Sequence, residues 1–206
     1  RLGSSPQDIS ALIILLNEGR YTEAARIAHS LTVRFPLHGF GWKVLGVALR
    51  RMGRSADALI QMQKTVELLP GDAEAHSNLG QLLAQRGDLE GGIRQFRKAI
   101  ELNPSLGGPY LNLGVALARQ GRIEEAIPQL QEAARLTPES AQAHYSLGSV
   151  YASEGRYDEA AKAFNDALRV QGDFAAAHQS LAQLLALQGK KGEAMQHYQE
   201  ALRLMR

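Results

Sequence analysis

The sequence predicts an all-α solenoid built from antiparallel helix pairs, and three columns of residues carry the prediction. Leu-Gly recurs at Leu45-Gly46, Leu79-Gly80, Leu113-Gly114 and Leu147-Gly148, always 34 residues on, and Leu181-Ala182 continues the series. Glycine alone fills a second column at the same step: Gly19, Gly53, Gly87, Gly121, Gly155 and Gly189. Pro36, Pro70, Pro104 and Pro138 form a third, with Gly172 in the next place. A fixed period of this length means one supersecondary unit stacked on copies of itself, so a single array of six units is expected, at about 5–38, 39–72, 73–106, 107–140, 141–174 and 175–206.

Each unit reads as a helix, a tight turn at the glycine, a second helix and a break at Pro or Gly. The first helix of the chain contains "ISALIILL", Ile9 to Leu16, an apolar run far short of the roughly 18 residues a membrane span needs, so a buried helix is expected and no membrane insertion. In the second helices a small residue recurs at Ala24, Ala58, Gly92, Ala126, Ala160 and Ala194, where close packing against the first helix is expected. Ser55, Asp88 and Asp158 lie where a short polar side chain can cap a second helix. Pro128 falls early in its second helix, in or just beyond the first turn, where a missing N–H does least damage.

The 206 residues are 45% hydrophobic, enough for a substantial core. Twenty-three Lys and Arg stand against 21 Asp and Glu, for a net charge of +2, and no basic stripe interleaved with aromatics appears, so no nucleic-acid partner is expected. The absence of Cys removes disulfides, thiolate metal sites and a cysteine nucleophile together. The chain opens "RLGSSPQD" without Met, which fits the edge of something larger.

The columns resemble the tetratricopeptide repeat. They read Trp42, Leu45, Gly46, Leu49, Ala58, Met62 and Pro70 in one unit, and Tyr110, Leu113, Gly114, Leu117, Ala126, Leu130, Ala133 and Pro138 in another. The resemblance covers essentially the whole chain. It implies a right-handed superhelix whose first helices line a concave face, where peptides are commonly bound.

Placing residues at 100° intervals sets His76, Leu79, Gly80, Leu83 and Arg86 on the packed side of one first helix, and Glu74, Ser77, Asn78, Gln81, Ala84 and Gln85 on the groove side. The same register selects Phe40, Lys43, Val44, Val47, Arg50 and Arg51, then Gly108, Leu111, Asn112, Val115, Ala118 and Arg119. It continues with Gln142, Tyr145, Ser146, Ser149 and Ser153, and ends with Ala176, Gln179, Ser180, Gln183 and Leu187. From this set Phe40, Lys43, Val47, Arg50, Arg51, Ser77, Asn78, Gln81, Asn112, Arg119, Tyr145, Ser146, Gln179 and Ser180 are expected to bind peptide.

Asn78, Asn112, Ser146 and Ser180 form a column with Ser10 at its far end. Such groups can hydrogen-bond the backbone of an extended peptide without reading its side chains. The column is similar to the asparagine ladder in the repeat arm of O-linked N-acetylglucosamine transferases, matched strictly by Asn78 and Asn112 alone; a solvent-facing helix position also tolerates Asn or Ser. Phe40, Val44 and Val47 with Lys43, Arg50 and Arg51 make an apolar and basic stretch, expected to prefer a ligand with an apolar anchor and an acidic group, although Arg50 and Arg51 also read as a solvated helix end. Lys43 and Asn78 occupy places like those of the two-carboxylate clamp that holds chaperone C-termini, but Val47, Gly108 and Asn112 stand where Asn, Lys and Arg would be needed.

His76, His144 and His178 share the slot of Trp42 and Tyr110 and read as packing residues, not metal ligands. No H-E-x-x-H, phosphate loop or G-x-S-x-G occurs, so no catalytic residue, metal or cofactor is expected. The expected function is a protein-interaction scaffold that takes an extended segment of a partner protein in its groove. The alternatives are the substrate-recruiting arm of a larger, glycosyltransferase-like enzyme, or a self-assembling structural scaffold. Met195, Leu202, Leu204 and Met205 in the last helix, and Ile13 and Leu16 in the first, mark the ends through which copies of the chain would associate.

Overall fold

The computed structural model describes residues 6–206, with side chains from residue 9; the expected start of the first unit at residue 5 lies outside them. Twelve α-helices and no strand are found among the described residues. Two compact bodies divide the chain. The first, Arg1–Pro104, holds α1 (Pro6–Asn17), α2 (Tyr21–Arg34), α3 (Gly39–Arg51), α4 (Ser55–Leu68), α5 (Ala73–Gln85) and α6 (Leu89–Leu102). The second, Ser105–Arg206, holds α7 (Gly107–Arg119), α8 (Ile123–Leu136), α9 (Ala141–Ser153), α10 (Tyr157–Val170), α11 (Ala175–Leu187) and α12 (Lys191–Leu204). The expected all-α repeat of helix pairs is what forms.

The six turn glycines all adopt the left-handed conformation, with φ between +69° and +94°, which explains why no other residue type fills that column. Helices of a pair then meet at the Leu-Gly position. A Cβ on Gly80 would lie 2.7 Å from the Phe96 ring and 3.0 Å from the carbonyl oxygen of Gly92, and one on Gly148 would lie 2.7 Å from Phe164. Around these contacts Leu12, Leu45, Met62 and Leu82 fill the core of the first body, and Tyr151, Phe164, Leu181 and Leu185 that of the second.

The Trp/His slot has a polar task as well. Trp42 Nε1 donates to the Pro36 carbonyl at 2.9 Å, and the Nε2 atoms of His76, His144 and His178 lie 3.0–3.1 Å from the carbonyls of Pro70, Pro138 and Gly172. A carbonyl can only accept, so each Nε2 carries the proton and pins the loop six residues upstream. Arg86, expected on the packed side, is instead the exposed C-terminal cap of α5, while Ala75 and Leu82 are buried. The stripe drifts because the ten steps from His76 to Arg86, at about 100° each, fall roughly 80° short of three whole turns.

The starts of α4, α6 and α10 follow two schemes. Asp88 caps α6 as expected, accepting from Gly91 N at 2.7 Å. Ser55 and Asp158 do not cap; they are the first and second residues of their helices, behind Arg54 and Arg156. There the residue before the helix reaches an acid three positions on: Arg54 Nε donates to Asp57 at 2.8 Å and Arg156 Nε to Glu159 at 2.6 Å. The pair Asp88 and Gly91 replaces Arg and acid as a unit, since a Cβ on Gly91 would collide with the Asp88 carboxylate. Pro128 is the sixth residue of α8, on an exposed face where the carbonyl it leaves unpaired meets water.

In the last pair the slot holds two histidines. His178 Nδ1 lies 2.9 Å from His197 Nδ1, with ring centroids 5.1 Å apart, so the two nitrogens point nearly at each other. Because His178 keeps its proton on Nε2, the neutral pair has His197 Nδ1–H donating to a bare His178 Nδ1. Burial first, and the His178 charge second, hold the His197 pKa below the usual imidazole value, against a weaker opposing pull from Glu193.

Two predictions follow from this packing. At an open helix site Gly→Ala gains about 1 kcal/mol, but Gly80→Ala should lose about 1–2 kcal/mol net in urea unfolding because the new methyl overpacks against Phe96. For the histidine pair, the unfolded chain binds the proton that the folded pair resists. Stability is therefore full above about pH 6.5 and falls as pH drops below it. His197→Gln recreates the pair that His76 makes with Gln95 at 2.7 Å, whose amide can turn to suit either protonation state. Melting curves between about pH 7.5 and pH 5 should show a smaller acid loss in that variant than in the parent; equal losses would show that the pair does not titrate.

Candidate functional site

The groove-side residues follow from the helix contacts. With Leu45, Gly46 and Leu49 facing α4, the opposite stripe of α3 presents Phe40, Lys43, Val47 and Arg50, all half-buried, and the exposed Arg51. On α5 the same rotation presents Ser77, Asn78 and Gln81, also half-buried. Val44, expected in the groove, is only 3% exposed and belongs to the core, because its position is the floor of the stripe.

In the first body two polar rungs join α3 to α5. Lys43 Nζ lies 2.8 Å from Asp72 Oδ2 and 2.9 Å from Glu74 Oε2. Asp72 also caps α5 through Ala75 N at 3.0 Å. Burial opposes both charges, but each holds the other: the Lys43 pKa is raised by its two carboxylates, and that of Asp72 is lowered by Lys43 and backbone N–H groups. Lys43 is thus already neutralised, which removes it from the basic stretch expected there; Asp72 and Glu74 lie 29 and 31 residues away, a separation read only against the repeat. The second rung sets a charged donor on a neutral acceptor, with Arg50 Nη1 donating to Gln81 Oε1 at 2.5 Å. Asn78 and Ser77 make no side-chain hydrogen bond among the described residues.

The second body carries an open groove. Between α7 and α9 lies a pocket of about 430 Å³, lined by Val115, Ala118 and Arg119 on one side and Tyr145, Ser149 and Ser153 on the other. Ile123 and Leu130 of α8 and Val150 close its floor; the sequence stripe missed them because a second helix reaches the groove only through the gap between two first helices. Tyr145 is held by the rings of Phe164 and Phe174, at 5.7 and 5.0 Å. Ser146 is buried, and its hydroxyl accepts from Gln142 Nε2 at 3.2 Å. Ser149 and Ser153 donate back to the carbonyls of Tyr145 and Val150, so their protons are used within α9. Asn112 is half-buried and Ser180 half-buried beside a smaller pocket of about 280 Å³ with Gln183 and Leu187; neither makes a side-chain hydrogen bond among the described residues. Gln179 is exposed.

Among the described residues, no group of three or more His, Asp or Glu could hold a metal ion, and no helix is long and apolar enough to cross a membrane. Among solved structures the chain is similar to MamA, at 27% identity and a TM-score of 0.70, over 78% of this chain and 94% of that one. It is similar in fold to a chain of the APC/C hetero-tetramer Cut9-Hcn1, at 21% identity and a TM-score of 0.83, over 96% of this chain and 39% of that one. YrrB, described as a TPR protein with an unusual peptide-binding site, matches at 20% identity and a TM-score of 0.70, over 87% and 93% of the two chains. No curated protein matches the sequence. The family described as Tetratricopeptide repeat matches residues 12–73, 111–172 and 154–204, and that described as TPR repeat matches 80–121. With the left-handed turn glycines, the close Leu-Gly contacts and these matches together, the chain belongs to the tetratricopeptide repeat family.

Proposed function

We propose that the chain is a non-catalytic scaffold that binds an extended segment of a partner protein along the groove-side stripes of its first helices. Asn78 in the first body and Asn112 in the second carry the reading: each is a half-buried amide with no intramolecular partner among the described residues. A half-buried amide at a position shared with Val44 and Ser146 loses part of its hydration, and a peptide backbone restores both its donor and its acceptor contacts. The pocket at Tyr145 and Val115 supports the same reading, since it would take an apolar side chain of the segment beside the exposed Arg119. YrrB, named for a peptide-binding site, shares the fold. A peptide-recruiting arm of a glycosyltransferase-like enzyme would use the same two asparagines.

A second reading, self-association, rests on α12, where Met195, Leu202 and Met205 are 58%, 62% and 59% exposed along with the half-buried Leu204. At the other end Ile13 is 47% exposed, whereas Leu16 packs onto the core.

For the groove, Asn78→Ala with Asn112→Ala should weaken binding of a display-selected peptide by about 0.5–1.5 kcal/mol per amide. The melting temperature should stay equal or rise slightly, because Ala is the better helix former. Unchanged affinity in calorimetry would remove the two asparagines from the site. For α12, light scattering coupled to gel filtration should show a mass that rises with concentration and returns to the monomer value in Leu202→Glu with Met205→Glu. A monomeric parent chain at every concentration would dismiss self-association.

A further inference from the structure

We infer that Arg50 is a specificity-determining residue of the first body, a receptor for one carboxylate side chain, Asp or Glu, of the peptide bound there. The inference rests on the groove reading above and adds what the groove selects.

Arg50 differs from the other arginines in how its charge is met: those without an ion pair among the described residues, such as Arg51, Arg86, Arg94 and Arg119, are exposed, whereas Arg50 is half-buried. Arg20, Arg54, Arg135, Arg156, Arg169 and Arg203 each hold an acid three residues away on the same or the adjoining turn. Arg50 sits in no ion pair among the described residues; its one hydrogen bond goes to the neutral amide of Gln81. Its Nε is buried and has no acceptor among the described residues. Burial, and then the neighbouring Arg51, pull the guanidinium pKa down, and no carboxylate holds it up. A charge stripped of water and left without a counter-charge is costly in the free protein, and a ligand carboxylate would relieve that cost.

The geometry suits the task. Gln81 fixes one Nη across the groove floor, so the planar fork is held in place before ligand arrives, and the half-buried guanidinium still offers its remaining N–H groups. One turn back on α3, Val47 supplies apolar surface beside it. The charge count favours a monoanion: this side of α3 carries Lys43, Arg50 and Arg51, against Asp72 and Glu74 at the start of α5, and both carboxylates are engaged by Lys43. Arg50 also lies outside the clamp-like places of Lys43 and Asn78, so two carboxylates at once are not what it reads.

The test is selection from a random library of short linear peptides displayed on phage, panned on the full chain, with calorimetry on the peptides recovered. Binders should be enriched in Asp or Glu. Changing that residue to its amide should cost about ten-fold in affinity, Arg50→Gln should cost about the same, and the two losses should not add. Arg86→Gln, which removes a charge from the exposed end of α5, should leave affinity unchanged. Arg50→Gln should melt at or above the parent temperature, since it discards the unmet charge. Binders without acidic enrichment, or an acid-to-amide loss that persists in Arg50→Gln, would overturn the inference and leave the groove reading standing. If no peptide is recovered at all, both fall.

Discussion

At Gly80 the α5 backbone lies so close to α6 that a single methyl would reach the Phe96 ring at 2.7 Å and the Gly92 carbonyl at 3.0 Å. The same contact recurs at Gly114 against Leu130 and at Gly148 against Phe164. Close approach fixes the rotation of each first helix about its own axis, because only the glycine side can come that near. Every other placement depends on that rotation: which residues fill the core, which face the groove, and which ring reaches back to the loop. In the last pair Ala182 takes the glycine place, and Tyr198 stands half-buried where Phe96 and Phe164 are buried.

Charge is handled differently on the two sides of a pair. On the second helices, Arg and acid lie three residues apart and satisfy each other at the surface, as in Arg122 with Glu125 and Arg135 with Glu132. Exposed pairs of this kind contribute little to stability. On the first helices of the first body, polar side chains reach across to the neighbouring helix, and one rung is complete while the other ends on a neutral amide. In the second body the corresponding stripe is small and hydroxylic. The pocket there is shaped by Tyr145, which two phenylalanine rings keep from filling it.

Much of the fold was legible in the sequence because its causes are local and repeat. A left-handed turn admits glycine alone, helix contact demands a missing side chain, and both recur at 34 residues, so their columns survive in the chain as a pattern. The helix-start chemistry was less legible. Ser55 and Asp158 look like caps by type, yet the backbone places Arg54 and Arg156 at the cap, and the partner that matters lies three residues on. The stripe that faces the groove was readable from 100° steps to within one position, which is why Val44 and Arg86 fell on the wrong side.

By itself, then, the sequence determined the helix pairs, their number and the residue types that line each first helix, since periodicity encodes these directly. Only the tertiary structure decided which of those residues are free to act. Lys43 is taken by Asp72 and Glu74, Ser146 by Gln142, and the protons of Ser149 and Ser153 by their own helix. Asn78, Asn112 and Arg50 keep unmet hydrogen-bonding capacity. The physical reason is that a side chain's availability is set by what lies within about 3 Å of its polar atoms. For Lys43 and Arg50 those neighbours come from the start or body of the next first helix, about one repeat along the chain, whereas the serines of α9 are met within their own helix.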